Sequence, residues 1–188
     1  QAQCAEVFRR LGLAFTEALI ERGLGVGTVD VAPQSENVAT ELGDEATVRS
    51  LVADLKNPAW IEALGSATQG LEVGLAIANA GVAFVGRYLD MAPARRRAII
   101  DVNCAATADL ASWALPAMVD RGRGAFVATS SGSALAGTGG VALYSATKAF
   151  SVNLVEALGW ELADTGVDAL AVVAPTMDTP MFRSGGAD

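Results

Sequence analysis

Residues 124–148 read GAFVATSSGSALAGTGGVALYSATK, and this stretch decides the fold. Gly124 to Thr129 is a short apolar run, the composition of a strand buried on both faces. Ser130 to Gly140 is small and Gly-rich, and reads as a loop. Leu143 to Asp164 carries a long helical pattern that Gly166 closes. Val167 to Ala174 is a second apolar run, stopped by Pro175. Strand, loop, long helix and strand make one βαβ unit, with parallel strands and a right-handed crossover.

The same alternation extends toward the N-terminus. Leu11 to Arg22 is helix-like, with Leu11, Ala14, Phe15, Ala18 and Leu19 at helical spacing and Gly23 as a stop. Gly25 to Val31 reads as a strand reaching Asp30, and Pro33 to Leu42 as a turn and short helix. Thr47 to Val52 is a strand leading into Ala53-Asp54-Leu55. Asn57 to Ala67 is helical, with Pro58 suited to a first turn. Val73 to Ala78 is a strand running into Asn79-Ala80-Gly81, and Pro93 to Arg121 is a helix with one interruption. The pattern predicts an α/β domain over residues 1–188, a doubly wound parallel sheet with helices on both faces. No repeat, low-complexity tract or linker divides it.

Composition removes several function classes. Formal charge is −8, which argues against nucleic acid or an anionic membrane as the main partner. The absence of histidine removes His-based triads and His-containing metal sites, and no metal is expected. Cys4 and Cys104 form no CxxC pattern and read as free thiols of a reducing, cytoplasmic compartment. No apolar run approaches the roughly 18 residues of a membrane span.

In a doubly wound sheet, ligands bind beyond the carboxyl ends of the strands. Asp30, Asp54, Asn79-Ala80-Gly81, Ser130-Ser131 and Pro175 all fall at such ends. Tyr144 and Lys148 lie four residues apart, on one face of the helix that follows. A nearby ammonium favours phenolate over phenol, so such a tyrosine can exchange protons with an alcohol or carbonyl near pH 7. Ser131, thirteen residues before Tyr144, offers a hydroxyl to the same oxygen; Ser130 and Ser133 are the alternatives. Asn103 sits inside a helix, where an amide has low intrinsic preference. Arg95-Arg96-Arg97 reads as a solvated helix face, and Trp113 and Trp160 as core or subunit-interface residues.

Taken in order, NAG at 79–81, Val102-Asn103, Ser130-Ser131, Tyr144-xxx-Lys148 and Pro175 with Thr179 resemble the short-chain dehydrogenase/reductase family from about Leu11 to Arg183. The resemblance implies a Rossmann-like fold and an NAD(P)-dependent oxidoreductase interconverting a secondary alcohol and a ketone. It makes Tyr144 the general acid/base. Lys148 lowers its pKa and holds the nicotinamide ribose. Ser131 polarises the carbonyl, and Asn103 supports a water-linked proton relay. Asn79, Ala80 and Gly81 flank the adenosine ribose, Asp54 and Leu55 the adenine, and Pro175, Thr176 and Thr179 the nicotinamide. A homodimer or homotetramer is implied, built on two long helices, Ala105 to Arg121 and Leu143 to Asp164, with Phe150, Leu154, Leu158 and Trp160 at the contact. A carboxylate at Asp30 accepts from a ribose diol and repels a 2′-phosphate, which favours NAD, with NADP possible.

The chain departs from the family at its two ends. The glycine loop that cradles a pyrophosphate falls on Ala5 to Gly12, where only Gly12 survives and Glu6 replaces a glycine. Little chain follows Thr179-Pro180-Met181, so first and last strands are expected to be missing or irregular. Either the chain is truncated, or it is a divergent member with a damaged cofactor loop. The second alternative predicts a non-catalytic pseudoenzyme or oligomeric scaffold.

Overall fold

The computed structural model describes residues 25–30 and 48–175. Strands β1 (Val26–Asp30) and β2 (Val48–Val52) pair in parallel, with Val26 opposite Val48 and Asp30 opposite Val52. Strands β3 (Leu75–Ala78), β4 (Gly124–Ser131) and β5 (Val167–Ala174) form a second parallel ladder in the order β3-β4-β5. No ladder joins the two among the described residues. Helices α1 (Trp60–Ala67), α2 (Pro93–Ile100), α3 (Ala106–Arg121) and α4 (Ala142–Glu161) alternate with the strands. This is the Rossmann-like α/β class that the sequence predicts. The expected helices Leu11 to Arg22 and Pro33 to Leu42 lie outside the described residues.

Most element ends fall within a few residues of the expected ones, and two shifts have visible causes. Helix α1 starts at Trp60 instead of Asn57. Asn57 makes a turn first: its side-chain Oδ1 accepts from Ala59 N at 3.2 Å, and its carbonyl accepts from Trp60 N at 3.0 Å. Strand β3 starts at Leu75 instead of Val73, whose carbonyl accepts from the Arg121 guanidinium at 2.7 Å.

The core lies between the second ladder and the two long helices. Ala111, Ala114, Leu115 and Met118 of α3 and Val155 of α4 pack on Ala76, Phe126, Ala128 and Val167. Phe126 is fully buried, which contributes about 1.5–3 kcal/mol relative to exposure. Alanines on α3 let the helix approach the strands closely. A second cluster gathers Trp60, Leu64 and Ala106, with Val29 and Leu51 against it. Leu110 and Trp113 touch both clusters, so α3 ties the two ladders together. Gly122 ends α3 in the left-handed conformation, at φ 67°. Gly166, at φ 74°, turns the chain from α4 into β5 so close to the Gly122 carbonyl that a Cβ would collide with it.

The expected interruption between Pro93 and Arg121 is a π-turn over Asp101–Ala105. Ala106 N donates to Asp101 O, five residues back. The Asn103 carbonyl accepts from the Thr107 hydroxyl at 3.0 Å. The widened turn places Asn103 in the interior, 1% exposed.

Candidate active site

Two hydrogen-bond chains converge on the start of α4. The first runs from the strand ends. Asn79, just past β3, accepts at Oδ1 from Thr129 Oγ1 at 3.0 Å, which ties the ends of β3 and β4. Thr129 O accepts from Lys148 Nζ at 2.7 Å. The next strand residue, Ser130, donates its hydroxyl to Lys148 O at 2.8 Å. Lys148 is thus held at its amine and at its backbone by consecutive residues of β4, and it is 2% exposed. Burial penalises its charged form and pulls its pKa down to about 8, a shift that the negative charge of an ionised Cys104 partly opposes.

The second chain runs through the π-turn. Asn103 Oδ1 accepts from Val82 N and Asn103 Nδ2 donates to Val82 O, both at 2.9 Å, a two-point clamp resembling a strand pairing. The other Nδ2 proton goes to Thr147 Oγ1 at 2.9 Å, and Thr147 Oγ1 donates to Tyr144 O at 2.9 Å. The loop that Asn103 clamps supplies Ala83, which packs with Val141 against the Tyr144 ring. Tyr144 is 9% exposed, and Lys148 Nζ lies 5.9 Å from its ring centroid. The sequence spacing therefore brings ammonium and aromatic ring together in space.

Ser131 ends β4. Its Oγ accepts from Ser133 Oγ at 3.1 Å and more weakly from Ser133 N at 3.4 Å, so neither bond uses its own proton. Ser130 differs, being 2% exposed with its hydroxyl given to Lys148 O. Cys104 is half-buried beside Asn103. Burial pushes its thiol pKa up, and the Lys148 charge pulls it partly back.

The remaining predicted positions spread along the strand ends. Asp30 is the last residue of β1, facing Val52 in the ladder. Asp54 accepts from Lys56 N at 3.0 Å and pairs with Lys56 Nζ at 3.1 Å. Burial raises its carboxyl, but these bonds and the Lys56 charge outweigh that and hold it below the ordinary value. Leu55 packs with the Trp60 and Leu64 cluster, away from Tyr144. Ala80 is exposed, Gly81 is buried, and exposed Pro175 directly follows β5. Gly12, Thr176 and Thr179 lie outside the described residues, as does the Ala5 to Gly12 segment.

Sequence reasoning missed Thr129 and Thr147, whose only signal is a hydroxyl beside a named motif. It also misread two arginines as solvated. Arg95 donates to Ala83 O at 3.1 Å and lies 5.8 Å from the Phe84 ring centroid. Arg96 donates to Met91 O at 2.6 Å and lies 5.6 Å from the Tyr88 ring. Only Arg97 is solvated, paired with Asp101 at 2.7 Å. Trp113 is half-buried against both clusters, and Trp160 is 86% exposed. Among the described residues no group of three His, Cys, Asp or Glu could hold a metal, and no helix is long and apolar enough to cross a membrane.

Known proteins share this arrangement of parallel strands and helices. The oxidoreductase UcpA of Escherichia coli K12 is 31% identical over 179 residues, which are 93% of this chain and 68% of that protein. The human inactive hydroxysteroid dehydrogenase-like protein 1 is 29% identical over 177 residues, 91% of this chain and 54% of its own. A short-chain dehydrogenase from Sphingobium yanoikuyae, solved with NADPH, superposes with a TM-score of 0.82 at 30% identity, covering 94% of this chain and 72% of that one. The family model for short chain dehydrogenases matches residues 8–188, a span that takes in both hydrogen-bond chains, and the protein belongs to the short-chain dehydrogenase family.

Proposed function

We propose that this oxidoreductase-family chain interconverts a secondary alcohol and a ketone, with Tyr144 as general acid/base. The observation that carries the reading is Lys148, a buried ammonium 5.9 Å from the Tyr144 ring and locked to the end of β4. With its pKa at about 8, Lys148 is mostly a cation at pH 7. That charge stabilises phenolate, the form Tyr144 takes after giving up its proton. In the reducing direction Tyr144 Oη protonates the carbonyl oxygen as charge develops there, and Ser131 donates to the same atom. The Asn103 side chain, spent on Val82 and Thr147, serves as a clamp, so any water relay would use the second lone pair of its carbonyl, which already accepts from Thr107.

The donor set fits a dinucleotide at its ribose end, since a buried amine at a strand terminus is a donor that a ribose diol accepts. Lys148 would hold the nicotinamide ribose and Asn79, Ala80 and Gly81 would flank the adenosine ribose, with Asp30 at the ribose diol, Asp54 and Leu55 toward the adenine and Pro175, Thr176 and Thr179 toward the nicotinamide. A bound nicotinamide supplies or accepts the hydride. Asp30 favours NAD over NADP by repelling a 2′-phosphate, although the Sphingobium relative was solved with NADPH. The apolar faces of α3 and α4, with Leu115, Val119, Leu154 and Leu158 along their groove, support a homodimer or homotetramer. Exposed Trp160 supports the same assembly. Packing of α3 on both clusters supports one domain over residues 1–188. The free Cys104 thiol supports a reducing, cytoplasmic compartment.

The test is direct. NADH and NADPH binding is followed by fluorescence, and turnover is assayed on a panel of aliphatic, aryl and steroid ketones. Tyr144→Phe is expected to lower kcat by about 10²–10⁴ while dinucleotide binding survives. Binding of neither dinucleotide sinks the reading for this chain. A second reading, a non-catalytic member of the family, draws on the human relative named as inactive and on Glu6 in the expected phosphate loop. Dinucleotide binding without turnover of any panel ketone favours it.

A further inference from the structure

Helix α4 starts without a side-chain cap. Its N-cap, Val141, makes no side-chain hydrogen bond, so the first turn has the orphan donors of a bare helix start, and such ends fray. Tyr144 sits in that turn, yet it is buried against Ala83 and Val141. A hydroxyl leaves those N–H donors as they are and ties the turn instead at the Tyr144 carbonyl. Thr147 Oγ1 donates to Tyr144 O and accepts from Asn103 Nδ2, both at 2.9 Å. The proton directions are fixed, because an amide nitrogen can only donate. Asn103 is itself immobilised by its two bonds to Val82. A threonine bonded to a preceding carbonyl is ordinary in helices and by itself slightly loosens them. The second bond is the unusual one, since it comes from a residue 44 positions earlier, in the π-turn.

We propose that Thr147 is a positioning residue for Tyr144. Its hydroxyl joins the first turn of α4 to the Asn103 π-turn, and so fixes where the phenol stands relative to Lys148 and the Val82–Ala83 loop. The proposal rests on the general acid/base reading of Tyr144. Serine at this position keeps both bonds. Valine keeps the shape, removes both, and leaves an Asn103 N–H buried without a partner.

The experiment compares the full chain with Thr147→Val and Thr147→Ser, with Thr147→Ala as the smaller change should valine prevent folding. kcat and KM are measured from pH 6 to 10 on the best ketone of the panel, and amide exchange over residues 141–148 is followed by mass spectrometry without substrate. Thr147→Val is expected to lower kcat about 10- to 100-fold, with KM within about twofold, as misplacement of a reacting group does. The first amides bonded within the helix, from Ser145 to Lys148, are expected to exchange about tenfold faster, and Thr147→Ser to restore both. Unchanged kcat in folded Thr147→Val, or failure of serine to rescue, overturns the proposal. If the unmodified chain binds dinucleotide but turns over no ketone, the acid/base reading fails separately. Exchange then decides: faster exchange in Thr147→Val upholds the joint, and equal exchange overturns it.

Discussion

Replacing Lys148 by methionine tests the buried ammonium without any substrate. The side chain is 2% exposed, and burial lowers its pKa from 10.5 to about 8. In the unfolded chain the amine holds its proton up to about pH 10.5, whereas in the folded chain it loses it at about pH 8. Between those values the unfolded state binds more protons, so stability rises with pH. Below about pH 8 the whole penalty is present, roughly 3 kcal/mol at 1.36 kcal/mol per pKa unit, set against the Nζ bond to Thr129 O. From pH 7 to pH 10 roughly 2–3 kcal/mol of it is relieved. Methionine fills similar space and carries no charge, so its chain lacks this slope. Urea unfolding followed by circular dichroism, at pH 7, 8, 9 and 10, gives the difference. Both chains carry Tyr144→Phe, so that the neighbouring phenol does not titrate. The lysine chain is expected to gain roughly 2–3 kcal/mol on the methionine chain across that window. Parallel pH curves would mean that Lys148 keeps an ordinary pKa, and the buried-ammonium argument would fall with them.

The two serines ending β4 separate by role: Ser131→Ala is expected to lower kcat about 10²-fold with little loss of stability. Ser130→Ala, which cuts the bond to Lys148 O, is expected to lower the urea midpoint by the equivalent of about 1–3 kcal/mol. Steady-state kinetics and urea curves on the same preparations check both. Gly166→Ala meets the Gly122 carbonyl at a positive φ and is expected to cost about 2 kcal/mol or more, seen as a Tm several degrees lower. Gly139→Ala meets nothing within 4 Å and is expected to leave the Tm within about a degree.

Periodicity and turn chemistry are local, and what they report here is local. The strand at Gly124, the loop after it, the helix through Leu143 and the strand at Val167 stand within a few residues of where the pattern puts them. The break between Pro93 and Arg121 was legible because an amide in a helix needs a reason. Its nature was not, because a π-turn is made by partners elsewhere: Val82 lies 21 residues before Asn103 and Thr147 lies 44 after it. The arginines fail for the same cause. Nothing in Arg95-Arg96-Arg97 says that two of the three face carbonyls and aromatic rings of a preceding loop. Thr129 and Thr147 carry no spacing signal, since a hydroxyl suits a strand end or a helix interior without any ligand.

The consecutive strand residues Thr129 and Ser130 explain why a costly buried lysine stays in register. In a strand, successive side chains alternate faces, while successive carbonyls point to opposite sides within the sheet. Pairing with β3 stops at Ala128 while the register with β5 continues to Ser131, so beyond β3 two neighbours of β4 can serve one partner. Thr129 offers a carbonyl to the Lys148 amine, and Ser130 offers a hydroxyl to the Lys148 carbonyl. The helix backbone and the side-chain head are therefore placed by the same strand terminus. A helix sliding by one turn would move Lys148 about 5.4 Å and break both bonds at once, so no register compromise keeps either. The Thr129 side chain extends the same logic to β3 through Asn79, 50 residues away. Two strand ends, one helix start and the π-turn thus define one rigid frame around the phenol. A substitution that breaks a bond of that frame is therefore expected to act on Tyr144 through position, even where it touches neither substrate nor cofactor.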